Sequence, residues 1–235
     1  MRVFLLQAMF FIKVRLAAFA MTHFHVITLF PESIEPYLAS SIIGRAQKAK
    51  KIKVSFYNPK DFTLEKFDRV DRRPYGGGPG MVLEPEAILR AAKKAIGSKR
   101  DVEVIFFSTG GKQFDESAAN ALSKKRHVVL ICGHYEGVDA RVAHVLKAKE
   151  ISMGPYVLTG GELPAATVVD AVARFIPGVL GKIESLESSR IASPDVYTRP
   201  ENLVWKGKKY QVPEVLRSGH HAKIEAWKKE RRERI

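Results

Sequence analysis

Cysteine is almost absent: Cys132 is the only one in 235 residues. A single thiol excludes an intramolecular disulfide and a zinc site built from several cysteines, and it fits a reducing, cytoplasmic setting. Long apolar runs are missing too. The nearest approach, "MRVFLLQAMFFIKVRLAAFA" at residues 1–20, is broken by Lys13 and Arg15, so it can neither span a bilayer nor make a good secretory core. Residues 1–20 are therefore expected to be an extension from a non-native or upstream start, with an amphipathic membrane-surface segment as the second reading. The domain itself is expected to begin at Met21. There is no GxxxxGK[ST], and "YGGGPG" does not open a helix after a strand as a dinucleotide fingerprint does. No GxSxG marks a serine nucleophile. His220 and His221 are adjacent, without the spacing that puts metal ligands on one helical face. His23 and His25 alternate on one strand face and are expected to be half-buried strand residues. No metal site is predicted, and no repeat or low-complexity tract is present.

Acidic residues are also scarce. Lys and Arg number 39 against 25 Asp and Glu, a formal charge of +14. That surplus favours a polyanionic partner, nucleic acid before an acidic membrane. The rest is ordinary: 46% hydrophobic and 27% charged residues are enough for a sizeable core.

What is present reads as alternating strands and helices. "FHVITLF" (24–30) is a buried strand stopped by Pro31, residues 33–50 read as a helix with Ser33 as N-cap, and "KVSFYN" is strand-like. "LEPEAILRAAKKAI" is an amphipathic helix, and "DESAANALSKKR" is a helix between the apolar runs "VEVIFFS" and "HVVLICG". This order predicts an α/β fold with a parallel sheet covered on both faces. In such sheets ligands bind beyond the carboxyl ends of the strands. Those ends carry "STGGK" (108–112), "CGHYEGVD" (132–139) and, soon after, "MGPYVLTGGELPA" (153–165), three glycine-bearing loops expected to converge on one cavity. "DRRPYGGGPGM" (71–81) is too poor in serine and polar residues for a linker and reads as a shaped loop. The polar stretch 182–196 is a linker, and residues 197–235 form a small, basic, mostly helical domain.

Taken in order, "RPYGGGPGM", "CGHYEGVD", "ISMGPYVLTGGELPA", "RFIPGVLG", "YTRPE" and "VPEVLRSGHH" resemble the bacterial tRNA (guanine-N1)-methyltransferases, from about Met21 to the C-terminus. These belong to the trefoil-knotted, SPOUT-type methyltransferases that use S-adenosylmethionine. The resemblance implies a deep knot in the 21–181 domain, a homodimer with active sites shared between subunits, and methylation of N1 of the guanosine 3′ of the anticodon. It implies cofactor binding by Thr109, Gly111, Gly133, Glu136, Met153, Gly154, Tyr156, Leu158, Gly160, Gly161 and Pro164. Pro74, Tyr75, Gly76, Gly77, Gly78 and Ser185 would receive the substrate, and Arg199 and Arg217 would meet phosphates of the anticodon stem-loop, together with the lysines and arginines of the tail. It also suggests that magnesium assists, although the sequence shows no evident cage for it.

The chemistry sets its own demands. Guanine N1 is protonated at neutral pH, so a general base must expose its lone pair, and a cation must stabilise the charge that builds on O6. Arg174 matches the family arginine with the second task. For the first, the family uses a linker aspartate, but ungapped counting here puts Ser189 at that position and a one-residue shift puts Ser188 there. Serine could not accept the proton unaided, so Glu187 is the first choice of base and Asp195 the second. His134, Pro155 and Arg72 are further departures from the family pattern. Two other readings stand beside this one: a knotted methyltransferase for another RNA position, and an RNA-binding protein that has lost catalysis.

Overall fold

Strands form where β-branched and aromatic residues run together, and they are joined by helices whose apolar faces cover the sheet. In a computed structural model, residues 21–180 and 195–232 are described and fall into two units, divided after Leu180. Residues 1–20, Ser185, Glu187, Ser188 and Ser189 lie outside the described residues. The first unit runs β1 (Thr22–Ile27), α1 (Glu35–Leu38), α2 (Ser41–Lys48), β2 (Ile52–Tyr57), β3 (Asp71–Arg72), β4 (Val82–Leu83) and α3 (Pro85–Ile96). It continues through β5 (Val102–Gln113), α4 (Glu116–Ser123), β6 (His127–Ile131), α5 (Arg141–Leu146), β7 (Lys149–Ser152) and α6 (Glu162–Ala173). Five of the strands make one parallel sheet in the order β2-β1-β6-β5-β7.

Both faces of that sheet are covered, as the apolar strands require. On one face Phe24, Val26, Val128 and Leu130 pack against Leu38, Ile43, Leu122 and the Val168–Val169–Val172 side of α6. On the other, Ile27, Val104, Val129 and Ile131 meet Leu83, Ala87, Ile88, Ala91 and Val142. Full burial of one such aliphatic side chain is worth about 1.5–3 kcal/mol, so these two clusters supply the main stabilising term. Among the described residues, no helix is long and apolar enough to cross a membrane.

Three elements differ from the sequence expectation. The helix expected over 33–50 is two short helices, because Ser40 is extended and Ser41 takes a positive φ of 48°. Ser33 caps no helix: it ends a single turn, Pro31–Ser33, and its hydroxyl donates back to the Phe30 carbonyl at 2.7 Å. Strand β5 does not stop at Ser108. Phe107 and Lys112 both pair with Ile151, so residues 108–111 bulge out of the sheet before the strand resumes.

The second unit holds β8 (Asn202–Trp205) and β9 (Lys208–Gln211), followed by α7 (Glu214–Arg217) and α8 (His221–Arg232). The strands pair antiparallel across Lys206 and Gly207, whose φ values of 49° and 75° suit a tight hairpin turn. Trp227 packs edge-on against Tyr197 at 6.2 Å with the Arg231 guanidinium 5.3 Å from its ring, which makes it an anchor of the unit.

Cys132, just past β6, is buried, and burial together with the nearby Glu162 charge pushes its thiol well above the usual range. The folded protein should therefore resist alkylation at mildly alkaline pH, while urea-unfolded protein takes up one equivalent. Equal labelling rates in the two states would contradict this placement.

Candidate active site

β6, β5 and β7 are neighbours in the sheet, and their carboxyl ends open into one cavity of about 430 Å³. The β5 bulge supplies Ser108 and Thr109, the loop after β6 supplies residues 133–138, and the loop after β7 supplies Met153 and residues 156–161. Apolar walls come from Phe106, Ile151 and Leu158, and main chain is exposed at Gly133, Gly137, Gly160 and Gly161.

The loop after β6 is held by backbone hydrogen bonds to the glycine-rich stretch. β3 and β4 pair antiparallel over two residues each, and Leu83 N–H donates to Gly137 O at 2.9 Å while Asp139 N–H donates to Leu83 O at 3.0 Å. Glu136 N–H donates to Met81 O at 3.0 Å. At the hairpin tip Tyr75 is fully exposed and Gly76, Gly77 and Gly78 have φ of 86°, 80° and 113°. A Cβ on any of these three glycines would meet nothing within 4 Å, so backbone conformation and not crowding selects glycine there. Beyond the loop, a two-point ion pair from Arg141 to Asp139 at 2.7 and 2.8 Å holds the Asp139 carboxyl below the usual range.

The third loop comes back against the end of β6. Gly161 N–H donates to Gly133 O at 2.8 Å, and a Cβ on Gly161 would lie 2.5 Å from Cys132 Cα and 2.9 Å from Gly133 N. Next in the chain, Glu162 is buried at the N-terminus of α6, where the helix dipole favours its charge. It accepts a 2.6 Å hydrogen bond from Thr28 Oγ1, just past the end of β1. His134 Nδ1 lies 3.9 Å from the other carboxylate oxygen, too far for a hydrogen bond, and is buried with no partner.

Of the cofactor residues named from sequence, Thr109, Gly133, Glu136, Met153, Tyr156, Leu158, Gly160, Gly161 and Pro164 line the cavity. Gly111 and Gly154 do not. Gly111 passes so close to β7 that a Cβ would sit 2.6 Å from Glu150 C, and Gly154 faces the Tyr156 ring. Pro74 to Gly78 stand at the hairpin tip. Arg174 follows α6, on the helix stripe Leu163, Thr167 and Asp170 that is left unburied. At about 1.5 Å per residue it sits about 18 Å from the helix start that borders the cavity, beyond its own side chain's reach. Asp195 pairs with Arg231 at 3.1 Å. Arg199 and Arg217 line one cleft of about 470 Å³ in the second unit, with Arg217 paired to Glu201. Sequence reasoning missed Glu162, although a lone acid in the otherwise apolar "ELPAATVV" was the available signal. It noted His134 only as a departure, and the structure places that ring in the cavity wall.

The model of the tRNA (guanine-1)-methyltransferase TrmD family matches residues 22–235. The chain belongs to that family. It is 44% identical over 210 residues to the tRNA (guanine-N(1)-)-methyltransferase of Magnetococcus marinus, covering 88% of this chain and 82% of the relative. The enzyme of the same name from Clostridioides difficile is 43% identical over 218 residues, 90% of this chain and 93% of its own length. That from Pseudoalteromonas atlantica is 44% identical over 212 residues, 87% and 78% respectively.

Because Gly161 touches the β6 backbone, Gly161→Ala should force the third loop off the sheet. The expected cost is about 1–3 kcal/mol in urea denaturation, with loss of small-ligand binding in the cavity. Wild-type stability and binding in this variant would show that the contact is slack.

Proposed function

We propose that this chain transfers a methyl group from S-adenosylmethionine to N1 of the guanosine 3′ of the tRNA anticodon. The observation that carries the reading is the single cavity at the carboxyl ends of β5, β6 and β7, built by the glycine loops of a chain that belongs to this methyltransferase family. The cavity suits the cofactor. Its volume lies within the range for small-molecule sites, Phe106, Ile151 and Leu158 offer apolar walls to an adenine, and exposed main chain offers donors and acceptors. Bound there, S-adenosylmethionine supplies an activated sulfonium methyl. Thr109, Gly133, Glu136, Gly160 and Gly161 position it, and the trefoil knot expected of the family would make those loops rigid.

The substrate side requires a base and a cation. Glu187 is the proposed base, since the ion pair with Arg231 already engages Asp195, the second candidate. Arg174 stabilises the developing O6 charge from the partner protomer of a homodimer, because the length of α6 keeps it from the cavity of its own chain. Exposed Tyr156, Val157 and Leu163 near the cavity mouth supply apolar surface for that association. The tip from Pro74 to Gly78, with Ser185, receives the flipped base, and Arg199, Arg217 and the basic residues of α8 meet phosphates as the tRNA-binding domain, 197–235, beyond the linker. A tRNA substrate puts the reaction in the cytoplasm. For magnesium, which the family resemblance suggests, no three His, Cys, Asp or Glu converge in the cavity among the described residues, and no step is routed through it.

Methyl transfer from labelled S-adenosylmethionine to tRNA tests the reading. Glu187→Gln should reduce turnover at least about 100-fold, Arg174→Ala should reduce it comparably, and a tRNA with adenosine 3′ of the anticodon should accept nothing. Loss in Asp195→Asn with Glu187→Gln active would transfer the base role to Asp195. Tight tRNA binding with no methyl transfer by the parent protein would sink the catalytic reading and leave an RNA-binding protein. That outcome has its own motive in the serines that replace the family's linker aspartate.

A further inference from the structure

The opposite end of the sheet carries a second cluster of chemically capable side chains. His23 and His127 lie in register on β1 and β6, and His25 follows two residues later on the same face. One ring nitrogen from each of the three lies within 4.8 Å of the others, and among the described residues this is the one such group of potential metal ligands. We propose that His23, His25 and His127 form a binding site for one zinc-type divalent metal ion, independent of the cavity and of the methyltransferase reading.

The distances suit such an ion. His25 Nε2 and His127 Nδ1 are 3.2 Å apart. Two nitrogens each about 2.0–2.1 Å from a tetrahedral zinc stand about 3.4 Å apart, so this pair is already close to ligand spacing. The His23 and His25 rings stack at 3.8 Å, which brings the third imidazole alongside. Outer contacts are present as well. Tyr57 OH meets His25 Nδ1 at 3.0 Å and Ser55 Oγ meets His23 Nε2 at 2.9 Å, both from β2, fixing ring orientation as outer-shell partners do.

The ligand set chooses the metal class. Three imidazoles with neither thiolate nor carboxylate favour zinc, cobalt, nickel or copper over magnesium or calcium. His25 is fully enclosed, whereas His127 is half-buried and gives an entry path and room for a water as fourth ligand. The opposing term is electrostatic. Lys53 on β2, Lys99 after α3 and Arg126 before β6 face the cluster with positive charge, against Asp101, which is already engaged by Lys125 at 3.3 Å. Those cations reduce affinity without altering ligand geometry. With strands rising about 3.3 Å per residue, the His23/His127 level is roughly 13–15 Å and the His25 level roughly 7 Å along the strand from the end of β6, so the ion would staple β1 to β6 outside the cavity.

The test uses full-length protein stripped with a chelator and titrated with Zn²⁺ or Co²⁺ alone. One saturable equivalent is expected, with a cobalt spectrum free of thiolate charge transfer and a zinc-dependent rise of several degrees in melting temperature. His23→Gln and His127→Gln should each weaken binding at least about tenfold, while the double variant His220→Gln/His221→Gln should bind as the parent does. No saturation below about 100 μM, a thiolate band, or binding lost only in the His220/His221 variant would overturn the site. Should a histidine variant fail to fold, ¹⁵N ring shifts in the parent protein decide. Zinc-induced shifts at His23, His25 and His127 support the site, and their absence refutes it. Methyl transfer should be the same for zinc-stripped and zinc-loaded protein when both are assayed with the same magnesium present, so the two readings succeed or fail separately.

Discussion

Two pieces of backbone touch where the loop after β7 returns to the end of β6, and the architecture of the cavity depends on that contact. Gly161 donates to the Gly133 carbonyl and leaves no space for a Cβ beside Cys132. Because the touching groups are main chain, the gap between the second and third loops is set by peptide geometry and not by adjustable side chains. The same contact places Glu162 at the first turn of α6, under the cavity wall, where Thr28 can reach it from the end of β1. One close approach therefore ties the ends of β1, β6 and β7 to a single helix start. The exposed glycine main chain around it is what a cofactor would read.

Buried polarity is concentrated at the cavity end of the sheet and in the histidine cluster, whose His25 lies in the middle of β1. At the cavity end a carboxylate is satisfied by one hydroxyl and a helix dipole, with an imidazole nitrogen nearby that has no partner. At the other end three imidazoles, neutral because burial disfavours their charged forms, satisfy one another together with Ser55 and Tyr57. Around and between these polar groups Phe24, Val26, Ile27, Val129, Leu130 and Ile131 are fully enclosed. Helix length imposes a further constraint. α6 begins at the cavity and ends at Arg174, so one chain cannot bring both ends of that helix to one ligand.

Much of this was legible in the residues. β1, β2, β6, α3 and α4 are readable because their apolar periods differ, and the three cavity loops are readable because glycines follow apolar strand-length runs. The second unit's hairpin was not legible: β8 and β9 are exposed along their whole length, so no buried side imposes an alternation. The bulge at 108–111 was equally hidden, since Phe107 and Lys112 both answer to Ile151 on β7, and the break at Ser40 has no strong local signal. Gly111 shows the same limit. A glycine required by a neighbouring strand and a glycine required by a ligand are identical in sequence.

By itself, then, the sequence determined the layered α/β class, the parallel sheet, the identity of the loops at its carboxyl edge and the family to which they belong. These follow from periodicity and residue type, which act over a few residues. Only the tertiary structure decided which glycines face the cavity, that Glu162 and His134 stand in and under its wall, that Arg174 lies a helix length away, and that three histidines from two strands meet. Each of those facts is a distance between residues far apart in the chain, and such distances are set by the packing of whole elements against one another.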